Sequence, residues 1–480
     1  MLAIDSTFVL AAWRLANARR WMPLRSSPPL PPGFLDLYRA HGSRLSRVDR
    51  LLIDAQFAPG ANQRFALYEE AVSKAPFDAY PALYYGDELF HRGPLAGRPR
   101  DDAIRMLQHA ASLDPSLAPA HEHLAWALIH AGRQADARKS LDALHRVSGS
   151  AKESEIFLPA LLEAAFVMRF TPQLAGQQAA LRSPAVLGLA ARGALSFDMP
   201  SVQAALGAQL AELPSASDAL HGSGEVAQGV ALMTMGRPAG ALPHFDAAAR
   251  LLRDKAEAEL QAAEWRVVLP AVGFPGVPVE EVERGRRALE IMSHDTLHAQ
   301  RAAWVLAFDF LRRGDTAAAE PWIRRVMSGS DSNNPLAVHL GALQRAREGR
   351  LQDALDFLRP ALAYDSAGGA TDPFFRSVLH LQLGEWQAAT GHLREADSAW
   401  LWYENLDAVG WPSTVAQACE VDWALGTYAS WRRAQLADSA GTLTQACRGM
   451  TRVVSHWAAA EPAYTPFLSA ARELVQKCPQ

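Results

Sequence analysis

The chain has 480 residues, 49 % apolar and 20 % charged, with a formal net charge of −4. That is too apolar for a disordered chain, and it lacks the basic surplus that most nucleic-acid binders carry. No run of about 20 apolar residues occurs, so no transmembrane helix is expected, and the three cysteines lack zinc-ligand spacing.

The first 50 residues hold eight arginines against Asp5, Asp36 and Asp49, and the remainder of the chain is net acidic. This reads as a solvated helix face beside a proline linker rather than a lipid- or nucleic-acid-binding arm. Asp5 stands where a signal peptide needs bases, and Arg14 interrupts the apolar stretch behind it. The chain as given therefore reads as cytoplasmic, or as extracytoplasmic if a membrane segment precedes it. A first helix carries Val9, Leu10, Trp13, Leu15 and Trp21 around much of its girdle. Residues 23–33, with five prolines, form a stiff extended segment.

Beyond the linker, small residues recur at fixed offsets. Gly86 precedes Ala103 and Ala110; Ala125 precedes Ala137; Gly229 precedes Ala241 and Ala248; Gly384 precedes Ala396. A period near 34 residues with small residues at such offsets is the mark of stacked helical hairpins. Two helices cross at roughly 8–10 Å, and Gly or Ala at the crossing lets them close. Second helices are predicted around Phe65–Val72, stopped before Pro76, and Ala103–Ala110, stopped before Pro115. Turns with Gly132, Gly236, Gly314, Gly349 and Gly391 end helices cheaply through the left-handed conformation. Repeats are predicted to start near 9, 45, 79, 118, 222, 300, 335 and 377.

These residues resemble the tetratricopeptide repeat family, well at 79–145, 222–250 and 300–361 and less at 45–78 and 377–403. The resemblance implies an all-α, right-handed α-solenoid superhelix of about ten to twelve tetratricopeptide-like hairpins. The expected organisation is a partial repeat with a Pro-rich linker at 1–45, repeats at 46–150, divergent helical repeats at 151–221, and repeats with a C-terminal hairpin at 222–480. Within the divergent stretch, 154–170 and 200–213 are predicted helices. Asp5-Ser6-Thr7-Phe8 resembles the junction that leads into a new repeat, as if a preceding helix were missing. Residues Tyr84–Pro99 and Trp400–Asn405 look like the repeat regions that follow kinase or DNA-binding domains in large bacterial signalling proteins. The chain is therefore expected to be the C-terminal part of such a protein.

No kinase loop set, phosphate-binding loop, dinucleotide fingerprint, His-Glu-x-x-His or Gly-x-Ser-x-Gly occurs. The expectation is a chain that is not an enzyme, with no catalytic residue, no cofactor and no metal. His121 and His123 sit two apart on a helix and point in different directions, so they read as surface histidines. His221-Gly222-Ser223-Gly224-Glu225 reads as a flexible turn before a helix, with Ser217 or Ser223 as cap.

Near the C-terminus, helices over 441–459 and 466–477 are predicted to pack antiparallel, with Thr465 as cap and Pro466 at the first helical position. Cys447 and Cys478 lie equally far from the loop between them. A disulfide is possible if the side chains face each other; in a cytosolic setting two ordinary thiols are expected. Trp400-Leu401-Trp402-Tyr403 places rings at successive positions, so one indole must face another helix, the Gly410-Trp411-Pro412 loop or a ligand.

The resemblance also implies a concave wall lined by first helices. Mapped here, that wall holds Trp13, Asn17, Asp49, Tyr80, Asp87, Phe90, Glu122, Trp126, His130, Met233, Trp304 and Phe308. Leu83, Asp87, Glu122 and Trp126 stand where the family's carboxylate clamp uses Lys and Asn, so that activity is not expected. The wall reads as aromatic and mildly acidic, suited to an apolar or basic peptide. The expected function is a noncatalytic docking scaffold for a protein or peptide, without nucleic acid; the alternative is a regulatory domain that senses a small ligand.

Overall fold

The computed structural model describes residues 8–20, 33–58, 61–93, 98–148, 157–174, 177, 183–196, 198–252, 255–294, 298–328, 334–366, 373–405 and 420–478. Among them the fold is all-α, with no strand. Met1–Ile4, the Asp5–Phe8 junction up to Thr7, most of the Pro-rich linker and the Gly410–Pro412 loop lie outside the described residues. The chain divides into two compact units, Met1–Arg182 and Ser183–Asp365 with most of the chain beyond.

In the first unit the helices are α1 Val9–Arg20, α2 Phe34–His41, α3 Arg47–Phe57, α4 Ala61–Lys74, α5 Ala79–Arg92, α6 Arg100–Leu113, α7 Ala118–His130, α8 Gln134–Ser148 and α9 Phe157–Phe170. They pair as hairpins α3/α4, α5/α6 and α7/α8, and first helices pack on first helices, α3 on α5 and α5 on α7. Local chemistry starts and stops them. Ser46 Oγ accepts from Asp49 N at 3.0 Å, and Asp78 Oδ1 accepts from Tyr80 N at 3.0 Å. The α5/α6 crossing closes at Gly86, where a Cβ would lie 2.8 Å from Leu107 Cγ.

The second unit holds α10 Pro184–Ser196, α11 Pro200–Glu212, α12 Asp218–Thr234, α13 Pro238–Leu251, α14 Lys255–Ala271, α15 Val279–Met292, α16 Ala299–Arg313, α17 Thr316–Ser328, α18 Pro335–Arg347, α19 Leu351–Ser366, α20 Pro373–Ala389, α21 Leu393–Asn405, α22 Glu420–Ser439, α23 Leu443–His456 and α24 Thr465–Val475. Consecutive helices again pair as hairpins. The crossings carry the small residues: Gly229 against Phe245, Gly341 against Phe357 and Gly384 against Trp400.

This second unit closes on itself. Helix α12 packs against α22, some 200 residues later in sequence. Asp198, in the α10–α11 connector, accepts from Arg452 Nη2 at 2.7 Å and lies 3.0 Å from His456 Nε2. Glu461 N donates to the Gly236 carbonyl at 2.9 Å, and its Oε1 accepts from Gly240 N at 3.2 Å. The turn at Gly236 thus seats against Trp457 and Tyr464.

Three local expectations are corrected. His221–Glu225 is not a turn; it lies inside α12. Its glycines serve close approach, since a Cβ on Gly224 would lie 2.7 Å from the Gly207 carbonyl oxygen of α11. Ser217 stands at the N-cap position without a side-chain capping bond. At the C-terminus, α24 begins at Thr465 with Tyr464 at its N-cap, one residue before the expected start. Cys447 and Cys478 are joined by a disulfide, their Cα atoms 5.8 Å apart. The two thiols expected for a cytosolic chain are replaced by one bridge because the antiparallel packing does bring these side chains face to face.

Candidate functional site

Wall of the first unit. Helices α1, α3, α5 and α7 bring several expected groove residues together, but many of them are interior. Trp13 is 1 % exposed, donates from Nε1 to Gln56 Oε1 at 2.6 Å and packs its ring 5.3 Å from Tyr84. Asn17 is buried and donates to the Trp13 carbonyl. Tyr80 keeps an exposed ring, with the Arg14 guanidinium 4.4 Å above it; the same guanidinium lies 3.4 Å from Asp49. Phe90 is buried. Trp126 is buried and tilts over His130, whose imidazole is held well below its ordinary pKa by burial and by nearby Arg100 and Arg169.

The His121–Glu122–His123 segment is not a surface feature. Every residue from Ala120 to His130 is buried, because α5, α6, α8 and α9 all pack against α7. His121 Nε2 meets the Pro115 carbonyl at 2.9 Å. His123 instead reaches across to α5: its Nε2 lies 3.0 Å from Asp87 Oδ1, which is also 3.2 Å from His91 Nε2. Burial opposes the charge on Asp87, yet the two imidazoles outweigh it and hold the carboxyl well below the usual range. Burial would lower His123, but the Glu122 and Asp87 carboxylates raise it to about 9. Glu122 itself is pushed up by burial. Among the described residues, Asp87, His91 and His123 are the group that could hold a metal ion.

Sequence reasoning missed this trio. Its signal was present as Asp87 and His91 at i,i+4, which share one helix face. The third member stands on the first helix of the next repeat.

Interior and cleft of the second unit. Met233, Trp304 and Phe308, the remaining expected groove residues, are 2 % exposed or less. Trp304 Nε1 donates to His339 Nδ1 at 3.1 Å, and His339 Nε2 pairs with Gln382 Oε1 at 2.8 Å. Burial keeps His339 neutral, with its pKa lowered to about 4. The Trp400–Tyr403 cluster is also interior. Trp400 donates to the Leu381 carbonyl at 3.2 Å, Trp402 stacks 4.3 Å from the His380 ring, and Tyr403 donates to the Ser377 carbonyl.

The second unit also opens a cleft of about 1040 Å³ along the α22/α23 hairpin. Its lining includes Ser430, Arg433, Thr444, Gln445, Arg448 and Arg452, with Asp198 at one edge. Arg433 is held by Asp397 at 2.9 Å and Arg452 by Asp198. Arg448 is exposed and has no ion-pair partner among the described residues. Sequence reasoning missed the cleft because Asp198 and Arg452 stand 254 residues apart.

No family model matches the chain, and no curated protein matches it. Solved structures similar to it include the tetratricopeptide domain of P58(IPK), 13 % identical over 90 % of this chain and 99 % of that one, with a TM-score of 0.23. Another is the Cut9–Hcn1 hetero-tetramer of APC/C, 12 % identical over 91 % of this chain and 98 % of that one, with a TM-score of 0.29.

Proposed function

We propose that the chain is a noncatalytic docking scaffold that holds an acidic peptide segment of a partner protein. The observation that carries this reading is the cleft on α22/α23, which offers the unpaired Arg448 beside hydroxyl and amide side chains. An arginine fork suits a carboxylate through two parallel hydrogen bonds. Threonine and glutamine side chains in the lining add hydrogen-bonding groups that orient a bound segment. The expectation of an apolar or basic ligand rested on an aromatic, mildly acidic wall; of its rings, Trp13, Phe90, Trp126, Trp304 and Phe308 are buried, while Tyr80 stays exposed.

The Cys447–Cys478 bridge supports an oxidising compartment for this region. The same reading places the scaffold within a bacterial signalling protein, which the sequence of its gene tests. Docking is tested by fluorescence anisotropy with a panel of labelled peptides, acidic, basic and apolar. Acidic peptides bind, and Arg448→Glu weakens them at least 10-fold while leaving the fold unchanged by circular dichroism. Equal binding to both proteins, or a preference for basic peptides, overturns the reading.

A further inference from the structure

We infer that Asp87, His91 and His123 form a binding site for a divalent first-row transition metal, of the zinc class, that ties α5 to α7. Three features of the geometry carry this.

The first is spacing. Asp87 Oδ1 lies 3.2 Å from His91 Nε2 and 3.0 Å from His123 Nε2, and all three donor atoms fall within 4.8 Å of one another. Zinc bonds of about 2.0–2.1 Å in a tetrahedron set neighbouring ligand atoms about 3.3 Å apart. One ion therefore reaches all three donors with sub-ångström adjustment.

The second is orientation. His123 Nδ1 lies 3.2 Å from the Pro119 carbonyl oxygen, an atom that can only accept. Nδ1 therefore carries a proton, and Nε2 is the atom that faces Asp87, where a metal ion would displace its own proton. Metal-bound histidines are commonly fixed in this way, by a bond from the other ring nitrogen to a main-chain carbonyl. Phe90 packs edge-on against both imidazoles, with centroids 5.1 Å and 5.6 Å away, and restricts their rotation.

The third is charge. Asp87 and the buried Glu122 bring two carboxylates to this place, and among the described residues their ion-pair partners are the His91 and His123 imidazoles rather than Arg or Lys. Buried charges are paired or coordinate metals. Glu122 Oε2 lies 3.8 Å from His123 Nδ1, near enough to add to the negative field. Nitrogen and carboxylate donors without sulfur suit zinc and its neighbours better than calcium or magnesium. His91 and Asp87 are half-buried, which leaves a path for an ion from solvent. A proton on His123 Nε2 is the competing occupant of the same place.

The test uses the full chain without an affinity tag, in a Cys419→Ser background to remove a competing thiol. Zn²⁺ alone is titrated by calorimetry after exhaustive chelation, and thermal unfolding is recorded with and without the ion. One Zn²⁺ binds per chain with micromolar or tighter affinity, and it raises the Tm because it binds the folded state. His91→Ala and the isosteric Asp87→Asn each weaken binding by about 100-fold or more, while His109→Ala, at a half-buried histidine outside the trio, leaves it unchanged. X-ray absorption of the zinc-loaded chain shows only nitrogen and oxygen donors. Absence of micromolar binding, sulfur donors, or binding equal in wild type and both ligand variants overturns the inference.

Discussion

Gly229 and Phe245 are fitted to each other across the α12/α13 crossing: a Cβ on Gly229 would lie 2.5 Å from Phe245 Cε1. The ring is also packed against Trp265, the two ring centroids 3.6 Å apart, which limits its retreat. Replacing Gly by Ala inside a helix ordinarily stabilises by about 1 kcal/mol. Overpacking a tight core ordinarily costs about 1–3 kcal/mol. At Gly229 the second effect wins, so Gly229→Ala lowers stability in urea unfolding. Gly240, in the next helix, has nothing nearer than 4.0 Å to a new Cβ. Gly240→Ala therefore raises stability by about 0.5–1 kcal/mol.

The disulfide joins residues 31 apart. Closing a loop of that size in the unfolded chain is worth about 3–4 kcal/mol in the chain-entropy account. Cys447→Ser or a reductant lowers the stability of the C-terminal hairpin by this order. Thiol counting on denatured, unreduced chains finds one reactive cysteine of the three. Three would show that the bridge does not form.

His339 gives the second unit a pH dependence of definite sign. Its folded pKa of about 4 lies below its ordinary value of 6.5. Between these values the unfolded chain binds a proton that the folded chain refuses. Stability is thus full above about pH 6.5 and falls as pH drops toward 4, by up to about 3 kcal/mol. Urea midpoints across this range show the loss, and His339→Gln flattens it.

Asp198 adopts a left-handed backbone, φ 61°, while pairing with Arg452 and His456. Asparagine tolerates that conformation; alanine does so less well. Asp198→Asn removes the charge and costs about 1–2 kcal/mol. Asp198→Ala costs more, because strain is added to the lost pair. Both changes raise amide exchange in α23 if this pair holds the closure of the second unit.

What could be read from the chain follows from distance along it. The hairpin crossings were legible because Gly86, Gly229 and Gly384 meet partners some 16–21 residues later. A glycine in a helix is itself ambiguous: Gly222 and Gly224 read as a flexible turn, although their lack of a side chain serves helix contact. Equal spacing around a loop made the Cys447–Cys478 bridge possible but could not show which way the side chains face. The i,i+2 geometry sets His121 and His123 apart on the helix, yet it was blind to Asp87 on the preceding repeat. The α12–α22 closure left no local trace at all. Rings such as Trp126 and Trp304 fit a groove and a core equally well by periodicity, and only the number of helices around them decides.

The α22/α23 cleft is proposed to hold an acidic peptide. Hydrogen–deuterium exchange with and without a saturating acidic peptide tests it most directly. Protection confined to residues 430–452, and lost with Arg448→Glu, is the predicted result. Protection that falls elsewhere, or none at saturation, contradicts it.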